Sequence, residues 1–126
     1  MSVNAVPTMV DLFSGAGGLS AGFSRAGYHL VGAVENWLPA ARSLQANHPD
    51  AYVETRDIRT VDAVEFGERL PGRVNVVLGG PSCQGFSTSG GLSRVAGRKI
   101  DDERNSLFLD FVRFVDALQP EWVVME

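Results

Sequence analysis

Apolar residues along this chain come in short continuous runs, separated by stretches in which they recur at helical spacing. Thr8-Met9-Val10-Asp11-Leu12-Phe13 predicts a first strand over 8–13. Glycine-rich residues then lead into a helix over about 19–26 that Gly27 closes. Residues 30–35 read as a second strand and 39–47 as a helix stopped by His48-Pro49. A short third strand over 51–54 ends before Asp57-Ile58, and a helical stretch over about 61–70 is broken by Pro71-Gly72. Residues 73–79 hold the run Val74-Asn75-Val76-Val77-Leu78, which reads as a fully buried strand of a parallel sheet. A polar Gly- and Ser-rich segment over about 81–103 follows, longer than connections in compact domains usually are. A helix over about 105–118 carries Leu107, Phe108, Phe111, Phe114 and Val115 on one stripe, the pattern of a core-facing helix. Gln119-Pro120 ends it, and Trp122-Val123-Val124-Met125-Glu126 opens a fifth strand.

This alternation predicts an α/β fold, a doubly wound parallel sheet with right-handed crossovers. The sheet's expected strand order is 3-2-1-4-5. Its ligand crevice is expected between strands one and four, where the connections diverge. No repeat or linker divides the chain, so 1–126 is expected to be a single domain. It stops inside a strand with no following helix, which predicts a partial domain whose outer strand is an uncovered edge.

With 126 residues there is room for one modest core, and 44% hydrophobic with 21% charged residues is the balance of a globular domain. No apolar run approaches a membrane span of roughly 20 residues, and no basic-then-apolar leader is present, which predicts no membrane association. One cysteine excludes an internal disulfide and a multi-cysteine metal site, and fits a reducing cytoplasm. His29 and His48 lack metal-ligand spacing and read as surface or cap residues, so no metal is expected. A net charge of −4 and a pI near 5.1 speak against a self-sufficient nucleic-acid binder, though not against a catalytic piece of one.

Two turns carry the candidate chemistry. In Asp11-Leu12-Phe13-Ser14-Gly15-Ala16-Gly17-Gly18-Leu19 the glycines allow a sharp bend and close approach of a ligand, beside the free N–H groups of a helix start. The same glycines also suit a plain tight turn. Glu35 follows about 20 residues on, at the end of the second strand, where a carboxylate accepts ribose hydroxyls. These features serve a nicotinamide dinucleotide or S-adenosylmethionine. A G-x-G-x-x-G fingerprint needs glycine at position 20, where Ser20 stands, and this tilts the reading toward S-adenosylmethionine. Trp37 is either an adenine platform or an ordinary half-buried aromatic, and Asp57 either an acceptor for an adenine amine or a helix N-cap.

The second turn, Gly79-Gly80-Pro81-Ser82-Cys83-Gln84-Gly85-Phe86-Ser87, leaves the fourth strand and holds the single cysteine. Most lone cysteines are inert core residues. This one has polar neighbours on a strand-end turn, where a thiolate is placed to act as a covalent nucleophile. Glu126 is a second carboxylate at a strand's carboxyl end, suited to hydrogen-bonding a ring nitrogen of a substrate.

Asp-Leu-Phe-Ser-Gly-Ala-Gly-Gly-Leu-Ser-Ala-Gly-Phe (11–23) resembles the cofactor motif of the DNA (cytosine-5) methyltransferases. Gly80-Pro81-Ser82-Cys83-Gln84-Gly85-Phe86-Ser87 is similar to their nucleophile motif, with Ser82 where the family commonly has proline. Val123-Val124-Met125-Glu126 looks like the opening of their Glu-Asn-Val motif. With Glu35-Asn36-Trp37 and Asp57-Ile58 between them, the resemblance covers nearly the whole chain.

The resemblance implies the Rossmann-like fold of S-adenosylmethionine-dependent methyltransferases and transfer of a methyl group to C5 of cytosine in double-stranded DNA. Phe13, Ser14, Gly15, Gly17, Gly18 and Leu19 then line the methionine and ribose side of the cofactor, and Glu35 holds the ribose. Trp37 covers the adenine face, Asp57 and Ile58 meet its edge, and Ser82 and Leu107 complete the lining. Cys83 attacks C6 of a flipped cytosine while Glu126 engages N3 and the exocyclic amine. Gln84, Ser87, Arg94, Arg98 and Arg104 stand where a DNA-closing loop is expected, although each arginine taken singly also suits a solvated surface. The target-recognition region is absent, so the chain is expected to be an amino-terminal part, a gene fragment or one half of a split enzyme. It is expected to be inactive alone and to work with a complementing chain. A restriction-modification system in a bacterial cytoplasm, at the nucleoid, is the implied setting. Two other readings stand beside this one: a relative acting on transfer RNA, disfavoured by Gly85-Phe86-Ser87, and a non-catalytic adenosyl-binding module or remnant of a split enzyme.

Overall fold

The computed structural model describes residues 5–81 and 106–126. In chain order the elements are β1 (Thr8–Leu12), α1 (Gly18–Arg25), β2 (His29–Val34), α2 (Leu38–Asn47), β3 (Tyr52–Glu54), a 3-10 turn (Ile58–Thr60), α3 (Ala63–Glu68), β4 (Val76–Gly79), α4 (Ser106–Leu118) and β5 (Trp122–Met125). The strands form one parallel sheet in the expected order, β3-β2-β1-β4-β5. The segment expected as a long polar loop, with Cys83 in it, lies outside the described residues apart from its first position.

Helices cover both faces, and the strand side chains divide between them. Val10, Leu12, Val34 and Val77 pack with Phe66 of α3 and with Phe111 and Phe114 of α4. Phe66 and Phe114 meet edge to face, their centroids 5.5 Å apart. Met9, Leu30, Ala33 and Leu78 pack on the other side with Leu44 of α2 and with Leu19 and Phe23 of α1. The stripe on α4 is therefore core, as its spacing predicts. Strict alternation breaks once. Pairing jumps from Met9↔Leu30 to Val10↔Gly32, so β2 carries one extra residue. That bulge resets the pleat, putting Ala33 on the face of Leu30 and Val34 on the face of Val31.

Two predicted elements need correction. The helix expected over about 61–70 forms as the shorter α3, and the 3-10 turn over Ile58–Thr60 before it was not expected; an aspartate caps each. The Asp57 carboxylate accepts the Arg59 N–H at 2.9 Å, and Asp62 accepts those of Val64 and Glu65 at 2.9 and 3.0 Å. The strand expected over 73–79 is regular only from Val76. Before it, the Asn75 side-chain oxygen takes the Thr8 N–H at 2.8 Å, a side chain standing in for a main-chain acceptor. On the far side of the sheet β5 is outermost among the described strands, and Trp122 (70%) and Met125 (46%) are exposed.

Candidate functional site

The carboxyl ends of β1, β2 and β4 border a cleft of about 320 Å³. It lies between β1 and β4, where the sheet order turns from β2 on one side to β4 and β5 on the other, the switch point of the sheet. Phe13, Val34, Glu35, Asn36, Arg56, Asp57, Ile58, Arg59, Gly80 and Leu107 line it. Phe13 enters from the end of β1 with φ at 58°, a left-handed backbone conformation uncommon for a bulky residue and typical of functional turns.

Glu35 organises the turn after β1. Its Oε1 accepts the Gly15 N–H at 2.9 Å and its Oε2 the Trp37 N–H at 2.7 Å, and each oxygen retains a further lone pair. The Ser14 N–H donates to the Val34 carbonyl at 3.3 Å, tying the same turn to β2. Gly17 then starts α1 with φ at 101°, and a Cβ there would stand 2.6 Å from Leu44 Cδ1. Only glycine satisfies both the backbone angle and the packing.

Asp57 sits at the rim as the cap of the 3-10 turn. Its carboxylate also takes the Arg59 guanidinium at 2.7 Å, and that bond, with the Arg59 main-chain N–H, holds its pKa below the ordinary aspartate value. Glu126 donates its N–H to the Gly79 carbonyl at 3.0 Å, extending the β4–β5 pairing beside the start of the second glycine turn.

Of the residues singled out from the sequence, Phe13, Glu35, Asp57, Ile58 and Leu107 share the cleft. Ser14, Gly15, Gly17, Gly18 and Leu19 form the turn and helix start next to it without lining it, and Trp37 is 66% exposed outside the lining. Ser82, Cys83, Gln84, Ser87, Arg94, Arg98 and Arg104 lie outside the described residues. Asp11 was not singled out as a site residue. It is 1% exposed and its Oδ2 accepts the Ser20 hydroxyl at 2.6 Å. Burial pushes its pKa up to about 6, against the lowering pull of the Ser20 hydroxyl and main-chain N–H, and Glu35 adds a smaller push upward. The signal was available: a carboxylate inside an otherwise apolar strand needs a buried partner.

The family model for C-5 cytosine-specific DNA methylases matches residues 7–126. The chain belongs to this family. Type II methyltransferase M.AgeI of Thalassovita gelatinovora is 43% identical over 120 residues, which are 93% of this chain and 27% of that protein. Type II methyltransferase M1.HphI of Haemophilus parahaemolyticus is 45% identical over 120 residues, 94% of this chain and 32% of that one. A solved structure of a DNA modification methyltransferase encoded within an E. coli prophage superposes with a TM-score of 0.69 at 35% identity. That match covers 90% of this chain and 30% of the other. This C-5 methylase chain thus spans about a third or less of the length of these relatives. Among its described residues no three His, Cys, Asp or Glu side chains group to hold a metal, and no helix is long and apolar enough to cross a membrane.

Proposed function

We propose that this chain is the cofactor-binding and nucleophile-bearing part of a DNA (cytosine-5) methyltransferase, using S-adenosylmethionine and a covalent Cys83 adduct. The observation that carries the reading is the single cleft shared by Phe13, Glu35, Asp57, Ile58 and Leu107, with Gly80, three residues before Cys83, in its wall. An adenosyl group needs apolar faces for its base, a carboxylate for its diol and an acceptor for its amine. Ile58 and Leu107 supply the first, Glu35 the second and Asp57 the third, with Phe13 lining the methionine and ribose side. A Cβ at Gly15 or Gly18 would meet nothing within 4 Å, so the turn leaves room for close approach to the main chain. The residues present therefore fit the cofactor. Ser20 supports this over a dinucleotide: where that fingerprint needs glycine for close helix–strand packing, Ser20 is fully buried and bonded to Asp11.

Bound S-adenosylmethionine would supply an electrophilic methyl group on a sulfonium. The Cys83 thiolate adds to C6 of a cytosine flipped from the duplex, which gives C5 enamine character. Glu126 holds N3 and the exocyclic amine. Once C5 is methylated, loss of its proton expels the thiolate. Gln84, Ser87, Arg94, Arg98 and Arg104 would close on the DNA. The exposed apolar side chains of β5 suit pairing with further methyltransferase structure, which a complementing chain carrying the later strands and the target-recognition region can supply.

Trapping on duplex DNA containing 5-fluorocytosine tests this, with S-adenosylmethionine and such a complementing chain. A covalent complex that Cys83→Ser abolishes is expected, with no detectable methyl transfer by the 126-residue chain alone. A complemented enzyme that binds cofactor and DNA but forms no adduct, or forms one with Cys83→Ser, refutes the mechanism.

A further inference from the structure

α4 reaches the cleft at one point and the turn behind it at another. Its first turn contributes Leu107 to the lining. Six residues on, about 9 Å along the helix axis, Arg113 reaches behind the 3-10 turn that carries Asp57 and Ile58. Its Nη1 donates to the Val61 carbonyl at 2.7 Å and its Nη2 to the Ile58 carbonyl at 2.9 Å. The same Nη2 donates to Asp110 Oδ1 at 2.8 Å, and the guanidinium lies 5.0 Å from the centroid of the buried Phe114 ring. We infer that the Arg113–Asp110 pair is a positioning device for the adenine end of the cleft, holding the Asp57–Ile58 turn from behind and so setting preference for a base with an exocyclic amine.

Three observations carry this. First, the turn needs support. A 3-10 turn has poorer hydrogen-bond geometry than an α-helix, and this one lies between a three-residue strand and a six-residue helix. Second, Arg113 bonds main-chain carbonyls that bracket the turn, so it fixes backbone pitch rather than merely tying two helix surfaces together. A planar fork held by a carboxylate and an aromatic face does this with little freedom to drift. Third, the Asp110 side chain is only 15% exposed and spends its Oδ1 on the guanidinium, so the fork is itself held in place.

The inference rests on the cofactor reading above, and the test separates the two. Calorimetry on the 126-residue chain compares S-adenosylhomocysteine with its purine analogue lacking the 6-amino group, for the native protein, Arg113→Met, Arg113→Lys and Asp110→Asn. The native chain should prefer the amine-bearing ligand. Arg113→Met should reduce that preference by roughly three- to tenfold, part of what a charge-assisted bond to the amine contributes, while affinity for the analogue stays within about twofold. Lysine reaches one carbonyl rather than two, so Arg113→Lys should restore part of the preference. If Arg113→Met fails to fold, Asp110→Asn decides the question, because it leaves the fork present but unbuttressed and should still lower the preference by roughly twofold. An unchanged preference in every variant that folds, or an equal loss of affinity for both ligands, overturns the inference and leaves the cofactor reading intact. A native chain that binds neither ligand overturns both.

Discussion

Replacing Asp11 with asparagine isolates what a buried carboxylate at the head of the glycine turn costs the fold. Asp11, flanked in sequence by Val10 and Leu12, is 1% exposed, with Ser20 Oγ at 2.6 Å. Burial lifts its pKa from 3.8 to about 6. Because the folded-state value is the higher one, the folded protein holds this proton more tightly than the unfolded chain. The resulting stability is fully present below about pH 4 and is lost as pH rises through about 6. At ~1.4 kcal/mol per tenfold change in proton affinity, the loss between pH 4 and pH 7 is about 2–3 kcal/mol. Asp11→Asn removes the titration while keeping an oxygen for the Ser20 hydroxyl, so any change in that bond shifts the whole curve by a constant. Urea unfolding at pH 4, 5.5 and 7, followed by circular dichroism, gives the two stability curves. The variant should gain about 2–3 kcal/mol on the native protein across that range. The other carboxylates largely cancel in the difference, apart from the coupling to Glu35. A difference that stays flat within ~0.5 kcal/mol would show that Asp11 is not charged at a cost in the folded state.

Glu35→Ala should weaken binding of S-adenosylmethionine by about 1.5–3 kcal/mol, roughly 10- to 150-fold, while Cys83→Ser leaves it within ~0.5 kcal/mol. Calorimetry showing equal losses would mean the ribose lies elsewhere. Gly79→Ala should destabilise the fold by about 1–3 kcal/mol in urea unfolding, because the new Cβ would stand 2.5 Å from Phe111 Cε2 and 2.9 Å from the Leu12 carbonyl oxygen. A variant as stable as the native protein would show that β1 and α4 give way there.

The sheet was legible because a strand buried on both faces has to be apolar nearly throughout, and Val76-Val77-Leu78 or Val10 to Leu12 can hardly be anything else between turn residues. Its order came with the expected methyltransferase fold rather than from any strand's own residues, since right-handed crossovers alone allow more than one order. The bulge in β2 was not legible: a one-residue slip is a relation between two strands, and neither strand's sequence records it. Nor was the 3-10 turn over residues 58–60 or the start of α3 at Ala63, which the caps Asp57 and Asp62 set.

The site divides along the same line. Glu35 and Asp57 could be found because each follows a predicted strand, and strand ends converge on the switch point whatever their side chains. Asp11 and Arg113 could not be found that way, since each takes its meaning from a partner that folding supplies. Ser20 reads in the sequence as a missing glycine. It becomes the partner of Asp11 only when α1 folds back over β1. Arg113 reads as one more charge on an amphipathic helix, and the groups it holds are main-chain carbonyls of residues 58 and 61, which no letter of the sequence distinguishes. Residues that touch a ligand can be read from position and type. Of those that hold the ligand's surroundings in place, Asp11 shows in the sequence only as a charge in an apolar strand, and its partner and those of Arg113 appear only as distances.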